Sequence, residues 1–148
     1  MYSGYILIYG IELAVWDVIS LFNLNEEDED DIYFIHDFVN DILVQNNFNF
    51  IKFIKKPCCY HEKFSVYIAV NLGCNQVQYK SNVECFDDFQ IYNDFFKNKL
   101  NIIRNYYLKN KDEIMDEFNR FYRIFLGDTI SYESKPYFFT IPDDCECN

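Results

Sequence analysis

The segment Phe64-Ser65-Val66-Tyr67-Ile68-Ala69-Val70-Asn71-Leu72 alternates strictly, with a large apolar residue at every second position. A period of two places one set of side chains on each face of a strand, and the β-branched content suits a pleated surface. Upstream, Phe48 to Lys55 is rich in Phe and Ile and reads as another strand. The stretch Lys56 to Glu62, with Pro57, is a turn between the two, so they pair as a hairpin with a longer loop. Before that hairpin, Ile32, Ile35, Val39, Ile42 and Leu43 recur at helical spacing, with Asp37, Asn40 and Asp41 outside the stripe. This predicts a helix over 32–45, stopped by Asn46-Asn47.

Nearer the start, Tyr5 to Leu13 is apolar on both faces, as a central strand must be. Val15 to Phe22 fits either a short helix or a continuing strand. Asn23 to Asp31 is an acidic loop whose end, Asp30-Asp31, suits a helix N-terminus, where carboxylates face the positive end of the helix dipole. Downstream of the alternating strand, Gly73 to Glu84 is polar. From Phe86 to Leu126 there is no Gly or Pro. Phe89, Tyr92, Phe96, Ile103 and Tyr107 form one helical stripe; Ile114, Phe118, Phe121, Tyr122 and Phe125 form another. They predict one long helix or two, with a break near Asn110-Lys111-Asp112, and Gly127 as the stop. Tyr137 to Ile141, bounded by Pro136 and Pro142, reads as the last strand. The order β-α-β-β-α-β is the split pattern of a ferredoxin-like α+β sandwich, a four-stranded antiparallel sheet with helices on one face. The expected organisation is one domain over 1–142 and a flexible acidic tail, 143–148, containing Cys145 and Cys147.

Composition narrows the class. Of 148 residues, half are hydrophobic and a fifth aromatic, with four Gly and three Pro, which excludes disordered, collagen-like and low-complexity chains. No window approaches the roughly 18 continuous apolar residues of a membrane span. The first residues lack the basic start of a secretory signal, so an intracellular, soluble protein (cytoplasmic, or in a host cytoplasm) is expected. In that compartment the six Cys are read as reduced thiols. Phe, Tyr, Ile, Asn and Lys, all with AT-rich codons, make up nearly half the chain, as in proteins of AT-rich genomes such as large DNA viruses or phages.

The net charge of −11 is unevenly distributed. Residues 1–51 carry ten acids and no Lys or Arg; residues 52–111 carry ten bases and five acids; residues 112–148 carry three bases and nine acids. The segments are therefore −10, +5 and −6. The run Glu26-Glu27-Asp28-Glu29-Asp30-Asp31 lacks the alternating spacing and the glycine of a calcium loop. Such a run is usually a solvated loop, but ten acids without a base exceed what solubility requires, and a partner protein with a basic surface is their natural counterpart.

Other candidate sites are sparser. Cys58, Cys59, His61 and Cys74 supply ligand types that zinc prefers, yet no C-x-x-C occurs anywhere, so zinc is an alternative and no cofactor is the leading expectation. Ile8 to Leu13 and Lys63 to Val70 resemble the two short motifs of RNA-recognition modules, although the second lacks the glycines. That resemblance implies base stacking on Tyr9 and Tyr67, with Lys52, Lys55, Lys56 and Lys63 as a basic edge. The acidic balance argues against nucleic acid, because phosphate attraction dominates such affinities. Trp16, the sole Trp, is expected to anchor the core. No G-x-S-x-G, P-loop or dinucleotide fingerprint is present, and only His36 and His61 could serve as imidazole bases. The leading expectation is a small non-enzymatic protein-binding domain, of a kind fitting a viral or phage accessory, virion or host-factor-inhibiting protein. The sequence leaves its oligomeric state open.

Overall fold

Four strands form one antiparallel sheet in the order β2-β3-β1-β4: β1 is Tyr5–Ala14, β2 Ile51–Lys55, β3 Ser65–Asn75 and β4 Tyr137–Pro142. The architecture comes from a computed structural model that describes residues 5–25, 32–55, 65–75, 94–127 and 135–142. Every neighbouring pair is antiparallel. Consequently β1 and β2 run parallel with β3 between them, and β3 and β4 run parallel with β1 between them. Two helices, α1 (Val15–Leu21) and α2 (Ile32–Gln45), lie between β1 and β2 in the chain; α3 (Asp94–Phe121) lies between β3 and β4. The protein is thus a mixed α+β fold. Among the described residues, no helix is long and apolar enough to cross a membrane.

The sheet sorts its side chains by alternation. Leu7, Tyr9 and Ile11 from β1, Val66, Ile68, Val70 and Leu72 from β3, Ile51 and Phe53 from β2 and Phe138 from β4 share one cluster with the buried helical residues. Ile8, Tyr67, Ala69, Phe139 and Ile141 form a second cluster on the opposite face, without any helical member. All three helices therefore cover one face. Because both faces of β1 are buried over Leu7–Ile11, that stretch reads apolar throughout, and Glu12 is exposed beyond it.

Two local features fix the sheet. Gly10 faces Ala69 on β3, and a Cβ there would lie 2.2 Å from the Ile68 carbonyl oxygen and 2.4 Å from Ala69 Cα. The strands approach so closely that only glycine fits. A bulge interrupts the β1–β3 ladder between Leu7 and Ile8, where Leu7 pairs with Gly73 but Ile8 with Asn71. Gly73 adopts φ +134°, and its N–H donates to Asn71 Oδ1 at 2.9 Å.

α1 and α2 end alike. Asn23 and Asn47 adopt left-handed φ values of 56° and 64°. The next N–H reaches back to the last turn, from Leu24 to Ile19 O at 2.9 Å and from Phe48 to Leu43 O at 3.0 Å. Asparagine tolerates this conformation better than other non-glycine residues, so it closes both helices. The second closure turns the chain over 46–50, so β2 starts at Ile51 rather than at Phe48 as the apolar run suggested. α3 runs through Asn110-Lys111-Asp112 without a break and widens into a π-helical turn, Tyr122–Leu126, that stops at Gly127 with φ 65°. There Phe125 packs against Phe22, Phe48 and Phe121, with centroids 4.9, 6.4 and 5.0 Å apart.

The placement of Trp16 corrects a sequence expectation. Val15, Val18 and Ile19 form the buried side of α1, and Trp16 projects outward with 52% exposure. A seven-residue helix lying on a sheet buries one narrow stripe, and position 16 falls outside it.

Candidate interaction surface

The inward side of α2 is set by Ile35, Val39 and Leu43, each fully buried at i, i+4, i+8. Its outward side is not the polar surface such a helix ordinarily presents. Tyr33, Phe34, Phe38 and Val44 are exposed there, alongside Asp37 and Asp41. The Phe34 and Phe38 rings lie 5.8 Å apart, one turn from each other. Lys55 of β2 sits 4.6 Å over the Tyr33 ring, so this lysine engages an aromatic face. Exposed aromatics flanked by acids, without a basic residue on the helix, make α2 the most distinctive exposed element among the described residues.

Side-chain contacts hold this helix rigidly on the sheet edge. Asn40 pairs with Phe53 of β2 as another strand would: the Phe53 N–H donates to Oδ1 at 2.8 Å, and Nδ2 donates to the Phe53 carbonyl at 3.3 Å. The same Nδ2 lies 3.2 Å from His36 Nε2, and His36 Nδ1 lies 3.1 Å from Asp37 Oδ1. Two residues earlier on the strand, the Ile51 N–H donates to Glu117 Oε1 of α3 at 3.1 Å. The Phe50 N–H shares that oxygen at 3.0 Å, while the Asn49 N–H donates to Oε2 at 2.9 Å. Arg120, one turn on, donates to the carbonyls of Asn46 and Asn47 and stacks 4.1 Å over Phe48. The backbone of β2 and its approach are therefore gripped by α2 and α3, which also covers a sheet edge that would otherwise be open to strand addition. Burial pushes the Tyr122 hydroxyl of the neighbouring π turn well above its usual range.

The sequence-predicted site residues scatter across this framework. Glu26, Glu27, Asp28, Glu29, Asp30 and Asp31 lie outside the described residues, as do Cys58, Cys59, His61, Lys56 and Lys63. Tyr9 is a core residue: its ring packs on Phe138, Tyr107 and Phe118 at 4.5, 5.1 and 5.8 Å, and its hydroxyl donates to Met115 Sδ at 3.7 Å. Tyr67 is buried on the opposite face against Phe139, at 5.1 Å. The structure thus separates the two tyrosines. It separates two of the lysines as well, because Lys52 pairs with Ala69 and shares its face, whereas Lys55 alternates to the helix-covered side. Cys74 stands on β3 opposite Ile6. Among the described residues, no group of three or more His, Cys, Asp or Glu side chains is placed to hold a metal ion.

Sequence reasoning missed Glu117, Asn40 and Arg120. Glu117 carried a readable signal, since it interrupts the apolar stripe Ile114, Phe118, Phe121 and is itself only 6% exposed. An acid on a buried stripe requires donors. Compared with protein-family models, curated proteins and solved structures, the chain matches none.

Proposed function

We propose that this chain is a non-enzymatic protein-binding domain whose acidic N-terminal third docks a basic surface on a partner protein. The fold is read, more finely, as the ferredoxin-like arrangement: the strand order β2-β3-β1-β4 with two split crossovers and helices on one face supports it. The observation that carries the functional reading is the outward face of α2. Phe34 and Phe38 supply exposed aromatic area of the kind interfaces favour, and Asp37 and Asp41 extend the base-free charge of residues 1–51 onto it. The acidic run 26–31 precedes this helix directly in the sequence.

Charge of this kind contributes mainly by steering the encounter and selecting basic partners, while the aromatic pair supplies buried area. The test is a complex purified from the native cell, remeasured with Glu26–Asp31 changed to Gln and Asn. Affinity should fall with rising salt and with neutralisation. A complex indifferent to both overturns the reading.

A further inference from the structure

The outward face of α2 and the Lys99–Lys109 stretch of α3 carry the same pattern with opposite charge, the acids Asp112, Glu113 and Asp116 lying farther along α3. On α2 the order is Phe34-x3-Phe38-x2-Asp41; on α3 it is Ile102-x3-Tyr106-x2-Lys109. Lys99 lies three residues before Ile102, so the α3 pattern reads equally in the reverse direction. All of these residues are exposed, the four apolar ones by 43%, 36%, 69% and 42% in the order named. Spacings of four and then three keep each set on one side of its helix.

We propose that a second copy of this chain occupies the α2 face, with its α3 laid along it. Phe34 and Phe38 then meet Ile102 and Tyr106 of the second copy, and Asp41 meets Lys99 or Lys109, the lysines that flank that pair. Both helices cover the same face of the sheet, so the two stripes lie on the same side of the molecule. A two-fold axis brings α2 onto α3 twice, once in each direction across the interface. That closes a dimer rather than starting a filament. Each copy carries −11, which opposes association at long range. At physiological ionic strength the screening length is about 8 Å, so distant acids are damped while facing pairs are not. This inference rests on the reading of the α2 face above and deepens it, by naming a second copy of the chain as the basic surface that meets Phe34, Phe38 and Asp41; it does not need residues 26–31.

The test is a charge swap on the full chain, read by sedimentation equilibrium at physiological salt. Wild type should show a monomer–dimer equilibrium. D37K/D41K and K99E/K109E should each weaken self-association at least about tenfold, equivalent to ~1.4 kcal/mol. Mixed one to one, the two variants should pair with near wild-type affinity, because both contacts across the two-fold are then complementary again. All four positions are exposed. Should either double variant lose its circular dichroism, Asp41→Asn and Lys109→Gln replace them, each weakening the dimer without reversing charge. A monomeric wild type, variants that associate as wild type does, a mixture that fails to pair, or a ladder of larger oligomers each overturns the proposal. A monomeric wild type that still captures a basic partner in a salt-dependent way sinks this inference and leaves the partner-docking function standing.

Discussion

Replacing Glu117 by alanine removes the acceptor for three consecutive backbone N–H groups, those of Asn49, Phe50 and Ile51. Hydrogen bonds to a charged acceptor contribute roughly 1.5–3 kcal/mol each, but water can replace the carboxylate where the backbone is only partly buried. The Ile51 N–H is buried, and leaving it unpaired costs about 1–3 kcal/mol by itself. Adding the partial losses at Asn49 and Phe50 gives about 3–5 kcal/mol, in the range reserved for broken buried networks. For a chain of this length that lowers the melting temperature by roughly 10–15 °C. Glu117→Gln separates hydrogen bonding from bulk. Its remaining oxygen can serve Phe50 and Ile51, while its amide points a donor at the Asn49 N–H, so it should cost about 1–2 kcal/mol. Urea unfolding followed by far-UV circular dichroism, with unchanged slope, measures both. If Glu117→Ala costs less than about 1 kcal/mol, or Gln is no better than Ala, the carboxylate does not hold the approach to β2.

Three further outcomes follow from particular contacts. Gly10→Ala should unfold the chain or cost more than about 4 kcal/mol, because its Cβ would fall 2.2 Å from the Ile68 carbonyl oxygen; a folded Gly10→Ala protein of near wild-type stability contradicts the close strand approach. The neutral His36 ring should carry its proton on Nδ1, since the Phe53 backbone fixes the Asn40 amide and leaves its Nδ2 to donate to Nε2. Long-range ¹H–¹⁵N spectra report the tautomer, and an Nε2–H ring would show that Asn40 is not oriented by Phe53. Trp16, the only tryptophan and 52% exposed, should emit as a solvated indole and be readily quenched by acrylamide; a blue-shifted, protected emission would return it to the core.

Much of the framework could be read from periodicity, and the misreadings have identifiable causes. The helix 32–45 matches α2 end to end, because its stripe is regular and Asn46-Asn47 provides a left-handed close. The alternation at 64–72 located β3 but not the bulge after Asn71, which depends on the partner strand. Trp16 was misplaced because size suggests burial, whereas a short helix on a sheet buries only the residues that point at it. Stacking on Tyr9 is only what the resemblance to RNA-recognition modules implies; alternation tells which residues share a face, not which face the helices cover, and Tyr9 lies on the covered one. The Asn40 and Glu117 contacts span 13 and 66–68 residues, and no local pattern announces a side chain that pairs with distant backbone. The exposed aromatics of α2 were equally hidden: Phe34 and Phe38 look like core residues until the packing shows that Ile35, Val39 and Leu43 have already filled the interior.

The most direct test of the partner-docking function is the salt dependence of the complex that the native protein forms, measured side by side for the wild type and for the chain neutralised at Glu26–Asp31. The account predicts a steep loss of affinity with salt for the wild type, and both a weaker complex and a shallower slope for the neutralised chain. Equal affinities and equal, flat slopes would contradict it.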